Sequence, residues 1–292
     1  MAAPILARST MASFLHSGDL GDAIYALPSV RSLGGGEVYF ASRPWTRTRW
    51  GANLLCVIAP LFEATGYAKA LLHDGEWIDH DFSTFRNGGY KLGDTIYERQ
   101  RRWVGAERNL EPWLTAEPNK VFPIIINRAS RWPGWHFPWK RIIEEFYEEI
   151  AFIGLPEEHA AFQKEFGKVF FLPCADLLEA AQIINGAQLF IGNQSACNAI
   201  ANGLGKKILL EVCSFAPDCF LRKDTAFFSL NGEVEIDLDG HKLSLPGYHG
   251  TFSTRVGERL LSSDEPEKLR VIARSAHALS GSFIYYEEVF VT

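Results

Sequence analysis

The chain has 292 residues, of which 47% are hydrophobic and 22% charged, so it is globular and long enough for two domains of ordinary size. Its formal net charge of −6 argues against a dedicated duplex-binding protein. The longest apolar run, Leu54 to Phe62, is too short to span a bilayer, and no signal-peptide pattern is present, so we expect no transmembrane segment and a cytoplasmic location.

The first predicted elements form a βαβ unit. A strand at Met11 to Leu15 is followed by the glycine-bearing turn HSGDLGD, a helix at Ala23 to Leu33 and a strand at Val38 to Ala41. Such a run implies a parallel, right-handed crossover. The remaining predictions for this half are helices at Trp50 to Ala64 and Thr95 to Val104, a strand at Lys69 to Leu72, and a loop at His73 to Gly93.

Strands and helices alternate more regularly after a predicted linker at Glu111 to Lys120. Buried strands followed closely by helices predict a doubly wound parallel sheet. The strands are predicted at Val121 to Asn127, Ala151 to Gly154, Val169 to Leu172, Leu189 to Gly192 and Lys207 to Val212. The helices are predicted at Pro138 to Ile150, Pro156 to Phe166, Ala175 to Asn185 and Ser195 to Leu204. A hairpin at Val234 to Leu245, a helix at Pro266 to Leu279 and a strand at Phe283 to Val291 complete the chain.

The turn after the first strand, His16 to Asp22, is a candidate reactive site. Ligands of parallel sheets bind beyond the carboxyl ends of the strands, and the two glycines allow another molecule to approach the backbone. Asp19 and Asp22 would repel a phosphate but suit removal of a proton from a hydroxyl. The alternative is that either aspartate caps the following helix.

Two turns of the second half suit an anion. Arg128, Ser130 and Arg131 follow the strand that ends at Asn127, and guanidinium groups pair with phosphate through two hydrogen bonds. Asn193, Gln194 and Ser195 precede a helix N-terminus, where free N–H groups attract negative charge; Ser195 alone is equally explained as an N-cap. We expect these strand ends to be neighbours in one sheet.

Other motif classes are absent from the sequence. There is no Walker-type lysine loop, no G-x-G-x-x-G in a βαβ unit and no G-x-S-x-G. The five scattered cysteines include no C-x-x-C pair, which is typical of a reducing compartment, and their spacing to histidine fits no zinc pattern, so we expect no metal site. Arginine and tryptophan interleave from Arg43 to Trp50, which suits an anionic or stacking partner or a solvated surface.

Three segments resemble one known family. They are SGDLGDAIYALPSVRSL (17–33), INRASRWPGWHFPWKRIIEEF (126–146) and LFIGNQSACNAIANGLGKKILLEV (189–212). In order and spacing they resemble the ADP-heptose–lipopolysaccharide heptosyltransferases and related glycosyltransferases. The resemblance implies an α/β fold of GT-B type, with two Rossmann-like domains and parallel sheets. Residues 1–115 would form the acceptor domain, 120–230 the donor domain, and 231–292 a small β-containing C-terminal extension.

The resemblance also implies roles for individual residues. It implies inverting, metal-independent transfer of a sugar from a nucleotide sugar, with Asp22 as catalytic base; Asp19 is the second candidate for that role. Donor-binding residues would be Arg128, Ser130, Arg131, Asn193, Gln194 and Ser195. The acceptor side would include His16, Ser17, Gly18, Arg43 and Trp45. We expect no cofactor beyond the nucleotide-sugar co-substrate.

The sequence is compatible with more than one acceptor and more than one class of reaction. The acceptor hydroxyl could belong to a saccharide or to a hydroxymethylated nucleic-acid base, which would be flipped out of a duplex before reacting. A sugar-nucleotide epimerase or hydrolase could use the same fold without an acceptor. A non-catalytic nucleotide-sugar-binding protein is the third alternative, because Gln194 stands where the family has an acidic residue.

Overall fold

The computed structural model describes residues 11–88, 95–133 and 137–211, residue 219, and five short strands at 226–227, 234–238, 241–245, 274–276 and 283–285. Two parallel sheets organise these residues, as the alternating strand and helix patterns predict. The α/β fold with two parallel sheets is therefore confirmed.

The first sheet has four strands in the order β3-β2-β1-β4, all parallel. Buried Phe14, Val38 and Phe40 contribute to its core. Its strands are β1 (Ala12–His16), β2 (Gly36–Phe40), β3 (Ala68–Leu72) and β4 (His80–Asp81). Its helices are α1 (Leu20–Ser32), α2 (Ala52–Ala64) and α3 (Ile96–Val104).

The second sheet has six parallel strands in the order β10-β9-β8-β5-β6-β7. Its central strands are near-continuous apolar runs, as expected of strands covered on both faces. The strands are β5 (Ile124–Asn127), β6 (Ile150–Ile153), β7 (Phe170–Leu172), β8 (Leu189–Asn193), β9 (Ile208–Glu211) and β10 (Ala226–Phe227). The helices are α4 (Trp139–Glu145), α5 (Pro156–Phe166), α6 (Leu177–Gly186) and α7 (Ala196–Gly203).

Local signals in the sequence account for several helix ends. The side chains of Thr95, Asp176 and Ser195 each accept a hydrogen bond from the backbone N–H three residues later, which caps α3, α6 and α7. Helix α3 ends at Gly105, whose φ of +72° suits glycine. Helix α1 ends before Gly34, which also has positive φ.

The two halves pack directly against each other through α1 and α7. The Tyr25 hydroxyl of α1 accepts hydrogen bonds from the amide groups of Asn198 (3.0 Å) and Asn202 (3.4 Å) of α7, and all three side chains are buried. The segment between the halves also contacts α7, because the backbone N–H groups of Trp113 and Leu114 both donate to the Gly203 carbonyl. These hydrogen bonds join α1 to α7 in the protein interior.

Some sequence predictions differ from the structure. The stretch His73 to Gly93 was predicted as loop, but it contains the two-residue strand β4 and a 3-10 turn at Phe85–Gly88. A two-residue strand is too short to show periodicity; buried Phe82 and Phe85 hold this stretch against the core. Helix α4 is shorter than predicted, because Ile150 already belongs to β6.

The C-terminal predictions are confirmed in part. Val234–Leu238 (β11) and His241–Leu245 (β12) form the predicted hairpin. The helix predicted at Pro266 to Leu279 is wrong at Arg274–Ala276, which is a strand (β13) paired with Phe283–Tyr285 (β14). Pairing with a partner strand overrides a helical pattern in so short a segment. The remainder of that predicted helix and of the last predicted strand lies outside the described residues.

Candidate active site

The turn His16 to Asp22 lies at the carboxyl end of β1, between two loops of its own sheet and one loop of the other. Strand β2 pairs with β1 so that Phe40 lies opposite His16, which brings the loop 41–50 to one side of the turn. Strand β4 pairs on the other edge, with Asp81 opposite Leu15, which brings residues 82–88 to the other side. This arrangement explains which side chains reach the two aspartates.

Asp22 lies in the first turn of α1, and its side chain is only 9% exposed. Its Oδ2 accepts a hydrogen bond from Arg86 at 2.6 Å, and this guanidinium is 47% exposed. Among the described residues no other side chain donates a hydrogen bond to this carboxylate, so Oδ1 can still accept one. Asp22 is therefore oriented by one cation that itself faces solvent.

Asp19 occupies the N-cap position of α1, but its side chain does not cap the helix. Its carboxylate accepts hydrogen bonds from the Thr48 hydroxyl of the first half and from Arg131 Nη1 of the second half, the latter at 2.5 Å. Burial raises the pKa of Asp19, but the two hydrogen bonds outweigh it and hold the pKa below its usual value. The capping alternative is thus wrong for Asp19, whose carboxylate instead joins the two halves.

His16 lies behind the two aspartates and is fully buried. Its Nδ1 accepts a hydrogen bond from the Gly18 N–H at 3.1 Å, and its Nε2 lies 3.2 Å from the amide nitrogen of Gln100. The same Gln100 nitrogen donates to the Asp22 carbonyl at 2.8 Å. Desolvation lowers the pKa of His16 to about 4, so the ring is neutral near pH 7 and acts as a support for the turn.

Gly18 fits between the two functional side chains because it has no Cβ. A Cβ at this position would lie 2.8 Å from Asp22 Oδ2 and 2.8 Å from His16 Cε1. The Gly18 carbonyl also accepts a hydrogen bond from the indole of Trp50 at 3.1 Å. The hydroxyl of the neighbouring Ser17 is buried and has no hydrogen-bond partner among the described residues.

The loop after β5 is held in place by the buried Asn193. Its amide oxygen accepts from the Ala129 N–H at 3.0 Å, and its amide nitrogen donates to the carbonyls of Ala129 (2.8 Å) and Arg131 (2.7 Å). Asn193 was predicted to bind a donor, but here its hydrogen bonds position Arg131. Arg131 is 38% exposed and is the residue of this loop that reaches the first half.

Arg128 is directed away from the first half. Its Nε lies 3.0 Å from both carboxylate oxygens of Glu211, which is completely buried at the end of β9, and its Nη1 lies 3.3 Å from Glu165. Glu211 also accepts from the indole of Trp139 at 3.1 Å. Arg128 therefore neutralises a buried carboxylate, which limits its availability to a ligand.

Two of the remaining predicted donor residues, Gln194 and Ser195, lie at the N-terminus of α7, whereas the backbone of Ser130 bonds to Glu158 of α5. Ser195 caps this helix, and the amide nitrogen of Gln194 lies 3.6 Å from Cys219 Sγ. Strands β5 and β8 are neighbours as predicted, so Ser130 and Ser195 follow adjacent strands. Gly21 of α1 closely approaches this end, since a Cβ on it would lie 3.7 Å from the Ala196 backbone nitrogen. The N-termini of α1 and α7 thus lie next to each other.

Arg43 and Trp45, predicted on the acceptor side, lie in the loop that also carries Thr48. The Arg43 carbonyl accepts from the Thr46 hydroxyl, and Trp45 is 67% exposed. Hydrogen bonds from Arg49 to backbone carbonyls of this loop hold it in one conformation. Because Thr48 bonds to Asp19, the loop borders the candidate site.

Sequence reasoning missed Thr48, Arg86, Gln100 and Glu211 as parts of the site. Arg86 and Thr48 lie in segments without periodicity, and only the pairing of β4 and β2 with β1 brings them to the turn. Glu211 could have been found from the sequence, because a carboxylate that ends a buried apolar strand needs a cation partner.

Among the described residues no group of three or more His, Cys, Asp or Glu side chains is placed to hold a metal ion. None of the described helices combines the length and the apolar character that a membrane crossing requires.

No family model matches the chain, and no curated protein matches it in sequence. Solved structures do match in fold. The iron-containing dodecameric glycosyltransferase TibC from enterotoxigenic E. coli is 12% identical, has a TM-score of 0.51, and is matched over 76% of this chain and 63% of its own.

Two further structures match with slightly lower scores. E. coli heptosyltransferase WaaC with ADP-2-deoxy-2-fluoro heptose is 11% identical, has a TM-score of 0.48, and is matched over 75% of this chain and 92% of its own. A family 9 glycosyltransferase from Veillonella parvula is 13% identical, has a TM-score of 0.48, and is matched over 77% of this chain and 88% of its own. At 12% identity the likeness to TibC shows the fold alone, which is an α/β fold with parallel sheets.

Proposed function

We propose that this protein is a glycosyltransferase that moves a sugar from a nucleotide sugar to an acceptor hydroxyl, with inversion and without a metal ion or other cofactor. The observation that carries the proposal is the pairing of Asp19 with Arg131 across the two halves, in the same turn that carries Asp22. Asp19 of the first half bonds to Arg131 of the second half, and Asp22, three residues further along, bonds to Arg86 of its own half. A reaction that removes a proton on one side and releases an anion on the other requires this distribution of charge.

Asp22 is the better candidate for the base. Asp19 accepts from both Thr48 and Arg131, and its lowered pKa makes it a weak proton acceptor. Asp22 accepts from Arg86 through Oδ2, which leaves Oδ1 to take the proton of an acceptor hydroxyl. Arg86 would hold the carboxylate in one orientation during the reaction.

Arg131 and the N-terminus of α7 would hold the departing diphosphate. Arg131 bonds to Asp19 through Nη1 but is partly exposed, so its other N–H groups can donate to phosphate, and the N-terminus of α7 adds partial positive charge. Arg128 would act indirectly, because it is paired with Glu211. Stabilising the charge that develops on the leaving group is the largest single electrostatic contribution available to such a site.

The acceptor would approach over the loops that border the turn. Exposed Trp45 and the arginines of loop 41–50 share that loop with Thr48, which bonds to Asp19, and Arg86 lies beside Asp22. Such a surface suits an acceptor with flat or anionic groups, either a saccharide or a modified nucleic-acid base.

The experiment is a donor-consumption assay with and without candidate acceptors, using wild type, Asp22→Asn and the control Asp74→Asn. Asp74 is an exposed aspartate in the loop after β3. Loss of a general base lowers turnover by about 10²–10⁴-fold, and we expect this for Asp22→Asn with donor affinity retained, while Asp74→Asn behaves as wild type. Full turnover by Asp22→Asn would refute the base assignment. Donor consumption without any acceptor would indicate an epimerase or hydrolase instead.

A further inference from the structure

Trp132 has an unusual backbone conformation. Within the described part of the chain it is the one residue other than glycine with a positive φ, at +55°. A bulky side chain rarely adopts the left-handed region, because its Cβ crowds the backbone. Such outliers persist where the surroundings impose them, and they cluster at functional sites.

Asn193 imposes this conformation. Its three hydrogen bonds to the backbone of Ala129 and Arg131 fix the chain immediately before Trp132, and Asn193 itself is buried inside the sheet edge. The loop therefore cannot relax without breaking bonds in the protein interior. The backbone from which the indole projects is consequently anchored to the core.

The indole lies beside the charged centre of the candidate site and remains open to solvent. Trp132 is 41% exposed, and the guanidinium carbon of Arg131 lies 5.6 Å from its ring centroid. The same guanidinium reaches Asp19 of the first half at 2.5 Å. An exposed aromatic face thus adjoins the cation that connects the two halves.

We propose that Trp132 is the stacking surface for the transferred sugar ring of the donor and so determines donor affinity and sugar specificity. This assignment rests on the proposed glycosyltransferase function. With the diphosphate on Arg131, the sugar is the group bonded directly to the phosphate, whereas the nucleobase is separated from it by the ribose. Arg131 contacts both Asp19 and the indole, so a diphosphate bound to this guanidinium would lie close to Trp132 and to the reactive turn. The apolar C–H face of a pyranose suits an indole face, and burying both removes apolar surface from water.

The test compares two ligands on matched variants by isothermal titration calorimetry. The ligands are a nucleotide sugar, chosen from ADP-, UDP- and GDP-linked hexoses and ADP-heptose by its binding to wild type, and the corresponding nucleoside diphosphate. Trp132→Gly removes the ring and tolerates the positive φ, so the loop keeps its backbone conformation. Trp132→Phe keeps an aromatic ring. Trp77→Ala is the control, because Trp77 is 73% exposed and lies near the start of β1, where its carbonyl accepts from Ser13.

We expect Trp132→Gly to bind the nucleotide sugar at least roughly tenfold more weakly, which corresponds to about 1.4 kcal/mol, while its affinity for the nucleoside diphosphate stays within about twofold of wild type. Trp132→Phe should recover most of the difference, and Trp77→Ala should match wild type with both ligands.

The outcomes separate this assignment from the function on which it rests. Equal weakening of both ligands would place the nucleotide, not the sugar, on the indole and overturn the assignment. Unchanged binding of both would overturn it as well, with the transferase proposal intact. A wild-type protein that binds no nucleotide sugar in the panel would overturn both.

Discussion

Burial of His16 predicts a specific loss of stability in acid. The ring is fully buried beside Gly18 and Gln100, and desolvation lowers its pKa to about 4 from 6.5. Between these values the unfolded chain binds a proton that the folded protein excludes. The stabilisation is therefore complete above pH 6.5 and is lost as the pH falls toward 4.

The size of this effect follows from the two pKa values. The difference between the two pKa values corresponds to roughly 3 kcal/mol of unfolding free energy, most of which is lost between pH 7.5 and pH 4.5. A His16→Asn variant does not titrate, and its amide oxygen can accept from the Gly18 N–H as Nδ1 does. Carboxylates elsewhere contribute equally to both proteins, so the difference between them isolates His16.

Urea unfolding of wild type and His16→Asn at the two pH values measures this difference. Wild type should lose roughly 2–3 kcal/mol more than the variant on acidification. Equal losses in the two proteins would refute the reasoning, because they would show that the folded protein does not disfavour a charged ring at this position.

Two further substitutions test the framework of the site. Glu211→Ala leaves the guanidinium of Arg128 without its buried partner and should lower the unfolding free energy by about 3–5 kcal/mol in chemical denaturation; a change below about 1 kcal/mol would show that the pair is not buried as described. Gly18→Ala places a Cβ 2.8 Å from both Asp22 and His16, so it should cost about 1–3 kcal/mol and abolish most turnover. A Gly18→Ala enzyme with wild-type turnover would contradict the placement of Asp22 beside this turn.

The architecture follows from regular patterns in the sequence. The strands from Ile124 to Glu211 are apolar runs separated by helices, two of which have side-chain caps at Asp176 and Ser195, and parallel pairing then places the carboxyl ends of the strands together. The sequence therefore predicts the βαβ unit, the second sheet, and the neighbouring positions of the turns that carry Arg131 and Ser195. Strand β4 has two residues and no pattern of its own; its pairing with β1 depends on tertiary structure.

The individual roles of charged residues could not be predicted in the same way. Arg128 and Arg131 are three residues apart in one loop, yet Arg128 pairs with the buried Glu211 and Arg131 reaches Asp19. That difference depends on which direction each side chain takes from the loop, which Asn193 sets through its hydrogen bonds. Likewise, Asp19 occupies a cap position by sequence but bonds to partners that are distant along the chain.

The central claim, that the two halves together bind a nucleotide sugar, is tested most directly by thermal and chemical denaturation of wild type and Arg131→Ala with nucleotide sugars and free nucleotides. A ligand at about a hundred times its dissociation constant adds roughly 2.7 kcal/mol of stability. The account predicts this stabilisation for one nucleotide sugar in wild type and a much smaller one in Arg131→Ala. The absence of stabilisation by every nucleotide sugar, or an undiminished effect in Arg131→Ala, would contradict it.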